Sequence, residues 1–200
     1  MKISKITVKT KSKSYPIYFG NGIVNATGKL IQKNLPNVKK LFIICDTNIP
    51  SNLVRKLKKS LKKYKLQVYK LPAKEKTKNF KIAYKLIESL LRSNFSRSDC
   101  IIAFGGGVLG DLSAFVSSLT KRGLKFINIP TTLLAQVDAS VGGKTAINSS
   151  QGKNLIGTFY QPDFVLIDIS LLNSLPQREM ICGYGEILKH SIILDRNFFL

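Results

Sequence analysis

The chain has no tryptophan, one histidine, two methionines and three cysteines in 200 residues, and only 11 acidic side chains against 32 basic ones. With His190 as the only imidazole, every nucleophile–histidine pairing must draw on that one residue, which weighs against a cysteine nucleophile. Cys45, Cys100 and Cys182 are odd in number, far apart, and set in or beside apolar segments such as FIICD and DCIIAF. That is the usage of a reduced compartment, with buried thiols acting as small hydrophobes. No run approaches the roughly 18 apolar residues that a membrane span needs. Lys2, Lys5, Lys9, Lys11 and Lys13 are followed by no apolar signal-peptide core. A spanning or exported protein is excluded, and a cytoplasmic one is expected. Arginine is scarce too, at six residues, and neither a basic-aromatic RNA motif nor a zinc-finger spacing is present.

What is there is globular: 44% hydrophobic residues and 22% charged, enough for one α/β domain or for one domain and the start of another. The net charge of +21 lies almost wholly in the first half, where residues 1–100 carry 24 basic and 4 acidic side chains against 8 and 7 in the rest. Lysine dominates the surplus. In SNLVRKLKKSLKKYK, Leu53, Leu57, Leu61 and Tyr64 recur on one helical face and lysines fill the other, so the charge reads as a solvated face. Weak binding to polyanions follows as a side effect, and specific nucleic-acid recognition is not expected.

Strand-like and helix-like segments alternate. ISKITVK, YPIYF, KLFIICD, KLQVYKL, CIIAF, KFINIP and FVLIDI read as strands, with helical segments at 22–35, 53–64, 80–95, 108–122 and 132–140. This order predicts an α/β fold with a doubly wound, mainly parallel, Rossmann-like sheet over residues 1–175, whose ligands collect at the carboxyl ends of the strands. From Gly105 onward the loops become rich in Gly, Thr, Asn and Asp, and the chemistry is expected there.

Three segments carry it. In CIIAFGGGVLGDLSAF, Gly105, Gly106, Gly107 and Gly110 join a buried strand to a helix; they permit positive φ and close backbone approach, which suits a pyrophosphate at a helix start. Gly105, Gly107 and Gly110 satisfy G-x-G-x-x-G, but no acid stands about 20 residues on, so the ordinary ribose contact is missing. Asp111 reads as a dipole partner in the first helical turn. VDASVGGKT resembles the end of a P-loop, yet Asp138 occupies the place of its first glycine. It leaves a lysine on a constrained turn, and Asp138, Lys144, Lys153 and Asn154 form a polar set suited to a phosphorylated, hydroxyl-rich substrate. In GYGEILKHSIIL, Glu186, Lys189 and His190 share a helix face, and Glu186 with His190 supplies at most two ligands to a metal where a catalytic zinc takes three.

Taken in order, GGGVLGD, NIPTTLLAQVDASVGGKTAIN, KNLIGTFYQP and SLPQREMICGYGEILKH resemble the 3-dehydroquinate synthases, almost without gaps across residues 100–191. The resemblance implies an N-terminal NAD-binding domain, followed from residue 176 by the beginning of a mostly helical domain with metal and substrate groups. On the cofactor side it implies Asp46, Asn48, Glu75, Lys78, Gly106, Gly107, Val108, Leu109, Gly110, Asp111, Thr131, Thr132, Asp138, Lys144, Lys153, Leu171, Ser174 and Leu175. Lys74 stands where the family has glycine. For substrate it implies Arg122, Asp138, Lys144, Asn154, Glu186 and Lys189, of which Lys144, Glu186 and Lys189 are the catalytic set. Glu186 is the implied ligand to Zn²⁺ or Co²⁺, and the two histidines that complete the family's site would lie beyond residue 200. His190 is not in the implied set.

The implied reaction converts 3-deoxy-D-arabino-heptulosonate 7-phosphate to 3-dehydroquinate and phosphate in a homodimer, through transient oxidation by NAD⁺, phosphate elimination, reduction and aldol closure. ILDRNFFL reads as an apolar helix face without a cover, so a truncated chain without turnover is expected. Other readings stay open: another sugar-phosphate cyclase, a metal-dependent polyol or alcohol dehydrogenase, and a noncatalytic nucleotide- or polyanion-binding module.

Overall fold

The computed structural model describes residues 2–194 and 196–199. In chain order its elements are β1 Ile3–Lys9, β2 Ser14–Gly20, α1 Thr27–Asn34, β3 Lys40–Asp46, α2 Ser51–Ser60, β4 Lys65–Leu71, α3 Phe80–Arg92, β5 Cys100–Gly105, α4 Gly107–Leu119 and β6 Lys125–Pro130. They continue with β7 Lys144–Ser149, β8 Gly152–Phe159, β9 Phe164–Asp168, α5 Gln177–Leu194 and α6 Arg196–Phe199. Seven strands form one sheet in the order β1-β2-β9-β6-β5-β3-β4, parallel except for the β1–β2 edge pair.

The central strands are buried on both faces, which is why they read as continuous apolar runs. Along β3, Leu41, Ile43 and Cys45 enter one core with Ile23, Leu30, Ile31, Leu57 and Leu61, while Phe42 and Ile44 enter the other with Leu86, Leu90, Leu112 and Phe115. Helices α1 and α2 thus cover one face, and α3 and α4 the other. The lysine face of α2 is solvated as expected, although the helix stops at Ser60 rather than near Tyr64. Among the described residues no helix is long and apolar enough to cross a membrane.

Cys45 and Cys100 are buried, and burial pushes the Cys45 thiol up to about 11. Cys182 departs from the expected burial: it is exposed on α5. Along that helix Ile181, Tyr184, Leu188, Ile192 and Ile193 are exposed as well, with Phe198 and Phe199 beyond them.

The strand starts are tied together by Asp99, 3% exposed. Its carboxylate accepts from Lys39 N (3.3 Å), Lys40 N (2.9 Å), Ser96 N (2.8 Å) and Ser96 Oγ (2.8 Å). Burial raises its pKa, but these hydrogen bonds outweigh that and hold it below the usual carboxylate range. A depressed carboxyl adds stability above its unfolded pKa and loses it as pH falls through the folded value. Asp99→Asn should therefore lower stability by about 1–2 kcal/mol at neutral pH. The gap between variant and wild-type urea midpoints should narrow as the pH falls below about 4; a gap independent of pH would count against the carboxylate's role.

Candidate active site

Strands β3, β4, β5, β6 and β9 are parallel, so the loops after them share one edge of the sheet. Asp46 closes β3 and Asn48 follows it, Glu75 and Lys78 follow β4, the glycine turn follows β5, Thr131 and Thr132 follow β6, and Leu171, Ser174 and Leu175 follow β9. Every implied cofactor residue outside the hairpin β7–β8 and Asp138 thus lies at a strand end, in a loop or at a helix start on this carboxyl edge. The chain leaves β3 toward β4 and returns to β5 on β3's other side, so the crevice of this sheet opens between β3 and β5. There an added Cβ at Gly105 would stand 3.5 Å from Asp46 Cβ. Asp46 is buried, and its Oδ1 accepts from Asn48 N (3.0 Å) and Ala73 N (3.3 Å).

The glycines serve approach rather than backbone freedom, which corrects the expectation of positive φ. Gly106 caps α4 with φ −76° and ψ −176°, and none of Gly105, Gly106, Gly107 and Gly110 has positive φ. A Cβ on Gly106 would meet Thr132 Cγ2 at 3.1 Å, on Gly107 Ala139 Cβ at 3.1 Å, and on Gly110 Asn128 Nδ2 at 3.3 Å. Val108 and Leu109 continue the first turn, Leu109 with its side chain fully buried. No side chain caps this helix, so its first N–H groups are open to an anion. Thr131 N donates to Gly105 O (3.0 Å), and Thr132 Oγ1 accepts from Ala135 N (3.3 Å).

Residues 144–159, to which the sequence pattern assigns no strand, form the antiparallel hairpin β7–β8. Gly142 (φ 101°) and Gly143 (φ 69°) make the constrained turn before Lys144. The hairpin stands over α4, and a cleft of roughly 640 Å³ between them is lined by Asp111, Asp138, Lys144, Thr145, Asn154 and Phe159 among others. Lys78 ties the two together: its Nζ, on a side chain 5% exposed, lies 2.5 Å from Asp111 Oδ2 and 2.5 Å from Asn154 Oδ1. Burial raises the Asp111 pKa, against the pull of Lys78. Asp111 lies just past the first turn of α4, which starts at Gly107, and its partner is this lysine rather than the helix dipole.

On α5, Glu186 Oε1 meets Lys189 Nζ and stands 3.2 Å from His190 Nε2. Asp138, from the π-helical turn Ala135–Ala139, joins them: one ligand atom each from Asp138, Glu186 and His190 lies within 4.8 Å of the other two. Two carboxylates and an imidazole fit a divalent metal. The structure does not bring Arg122 to the cleft. It follows α4, roughly 20 Å from the glycine turn by the rise of the helix, exposed and with φ 61° between Lys121 (φ 50°) and Gly123 (φ 113°). Lys153 is exposed on β8. Leu171 is buried, with its O 3.3 Å from the exposed Ser174's Oγ, and Leu175 is half-buried.

Residues 68–182 match the family model described as 3-dehydroquinate synthase N-terminal. The chain belongs to that family. It is 49% identical over 199 residues to the 3-dehydroquinate synthase of Pelagibacter ubique (strain HTCC1062), a match covering 100% of this chain and 54% of that protein. The chain thus spans about half the length of the curated relatives it matches. Among solved structures, a 2-deoxy-scyllo-inosose synthase complexed with carbaglucose-6-phosphate, NAD⁺ and Co²⁺ superposes with a TM-score of 0.89 at 25% identity, covering 96% of this chain and 52% of its own. A 2-epi-5-epi-valiolone synthase from Streptomyces hygroscopicus subsp. jinggangensis 5008, with NAD⁺ and Zn²⁺ bound, gives 0.83 at 26%, covering 95% and 52%.

In this 3-dehydroquinate synthase N-terminal family member, sequence reasoning missed Asn148. Its Nδ2 donates to Glu75 Oε1 (2.7 Å), its Oδ1 accepts from Asn154 N (2.9 Å), and its own N donates to Lys78 O (2.7 Å). It thereby holds Asn154 at φ 59°, a left-handed conformation that asparagine tolerates. Only the polar pattern INSSQGKN hinted at it, and a hairpin had to be seen first. Asn148→Ala should speed amide hydrogen exchange at Asn154 about tenfold, the loss of one net hydrogen bond, and leave β3 and β5 protection unchanged. Unaltered exchange at Asn154 would remove Asn148 from this role.

Proposed function

We propose that the chain is the nucleotide-binding part of a 3-dehydroquinate synthase, a phosphate-eliminating lyase of aromatic biosynthesis that acts on 3-deoxy-D-arabino-heptulosonate 7-phosphate. The observation that carries this reading is the single cleft in which Asp111, Asp138, Lys144 and Asn154 meet beside an uncapped glycine-turn helix. The 49% identity to a 3-dehydroquinate synthase favours that substrate over those of the cyclases at 25–26%. The α/β part is assigned to residues 1–175, and α5 begins the helical part.

The glycine turn fits NAD⁺: the uncapped start of α4 at Gly107 and Val108 presents open N–H groups to a pyrophosphate, and Asp46 with Asn48 flanks the crevice on the β3 side. When bound, NAD⁺ supplies a hydride acceptor that is restored within each turnover, and a divalent ion at Glu186 supplies Lewis acidity for a substrate hydroxyl. Lys144 and Asn154 would orient the substrate from the hairpin, and Asp138, which lines the same cleft, would contact cofactor or substrate there. Lys144 and Lys189 offset the charge of the departing phosphate. Glu75, Lys78 and Thr132 hold the cofactor loops in place. Lys153, Ser174 and Leu175 would contact the cofactor from outside, with the buried Leu171 supporting them from the core. Arg122, which is not among the residues lining the cleft of its own chain, would reach phosphate from a second copy in a homodimer.

Gly106→Val should abolish NAD⁺ binding measured by calorimetry, because its side chain would collide with Thr132 and fill the pyrophosphate approach. Its φ is no obstacle, so a correctly folded variant is expected; equal affinity in the two proteins would sink the assignment. With Zn²⁺, NAD⁺ and the heptulosonate phosphate supplied, this chain alone should release no phosphate above a Glu186→Ala control, since about half of the relatives' length is not covered by it. Sustained release above that control would show that these residues suffice.

A further inference from the structure

We propose that Gln161 is a positioning residue for Lys144: it wedges the glycine turn at the base of the β7–β8 hairpin and so fixes where that lysine enters the cleft. The purpose of the wedge rests on the reading of Lys144 as a group that binds the phosphorylated substrate, whereas the wedge itself rests on geometry. Gly142 and Gly143, both left-handed at φ 101° and 69°, lead directly into Lys144. The Gln161 side chain occupies the space above Gly143, where an added Cβ would stand 2.5 Å from Gln161 Cδ and 2.7 Å from its Oε1. Its Nε2 donates to Gly142 O (3.1 Å). Among the described residues no hydrogen bond or ion pair holds the Lys144 ammonium, so its place in the cleft is set by the turn beneath it.

A wedge must itself be fixed, and the segment around Gln161 is anchored on both sides. Before it, Tyr160 N donates to Gly143 O (2.7 Å) and Tyr160 Oη to Leu124 O (2.5 Å). Burial pushes that hydroxyl up to about 12, so it stays a donor at neutral pH. After it comes Pro162, which disfavours helical backbone at Gln161. Asp163 N then donates to Phe126 O (2.7 Å), and Asp163 Oδ2 accepts from Phe126 N (2.8 Å). Lys13 Nζ bridges Gln161 O (3.4 Å) and Asp163 Oδ1 (2.9 Å). The base of the hairpin is thereby tied to the start of β6, while its far end is tied through Asn154 to Lys78. Tyr15, with no exposure, packs its hydroxyl against the Gly142 backbone, and both Tyr15 Oη and Gln161 Oε1 are buried without a hydrogen-bond partner. Unpaired buried oxygens are costly and call for a reason. Here they flank the one turn that aims Lys144, where shape rather than a full set of hydrogen bonds does the holding.

Two measurements on the purified chain test this. In ¹⁵N relaxation the Gly142, Gly143 and Lys144 amides of the wild type should show order parameters of about 0.85, and in Gln161→Ala they should fall below about 0.6, with β3 and β5 unchanged. Calorimetric titration with the heptulosonate phosphate then closes a cycle of Gln161→Ala, Lys144→Ala and the double variant. Gln161→Ala should weaken that binding about fivefold, the loss of one net hydrogen bond. In the Lys144→Ala background the same substitution should cost less than about twofold, because it acts through that lysine. A merely structural role would cost as much in both backgrounds, and that result overturns the proposal, as does a turn that stays ordered in Gln161→Ala. The two claims fail separately. A wild type that binds no sugar phosphate, with the turn still loosened in Gln161→Ala, contradicts the functional reading alone; sugar-phosphate binding that Gln161→Ala leaves at wild-type affinity contradicts the positioning role alone.

Discussion

A buried ammonium group organises the candidate site. Lys78 carries its charge into a place where its side chain is 5% exposed, and it is held there by Asp111 on α4 and Asn154 on β8. Removing a charge from water costs several kcal/mol unless partners of good geometry receive it. The loop after β4, the helix after β5 and the β7–β8 hairpin must therefore arrive together for any of the three to be satisfied. Asn148 adds backbone and side-chain bonds that fix two of these pieces, the loop after β4 and the hairpin. The cleft between hairpin and helix is the space left over when that clamp closes.

The sheet was legible because its central strands are buried on two faces and leave short apolar runs bounded by turns, as in FIICD and CIIAF. The hairpin was not, because β8 has almost no buried residue: Leu155, Ile156 and Phe159 are exposed, and the strand alternates with glycine, asparagine and lysine. Periodicity reports burial, and an exposed ribbon leaves no period to read. The same limit explains Cys182, which stands in an apolar setting in the sequence but on an uncovered helix in space.

The glycine turn shows a different limit. Four glycines near a strand end pointed correctly to close approach, but composition cannot separate a glycine needed for φ from one needed for room. Here Thr132, Ala139 and Asn128 take up the room. Asp138 was read as a missing P-loop glycine and as a substrate group. Its place beside Glu186 and His190, 48 and 52 positions away, follows from the packing of α5 at Gly183, which no local pattern contains.

The central claim is that Lys78 and Asp111 stabilise the site as a unit, and a double-mutant cycle measures this directly. Urea unfolding of Lys78→Met, Asp111→Leu and the double variant gives the coupling energy between them. Each single variant strands one buried charge or weakens its partner, so the double variant should cost less than the two single losses together, by about 1–3 kcal/mol. Additive losses, with coupling near zero, would mean that the clamp is not what holds the hairpin on the nucleotide turn.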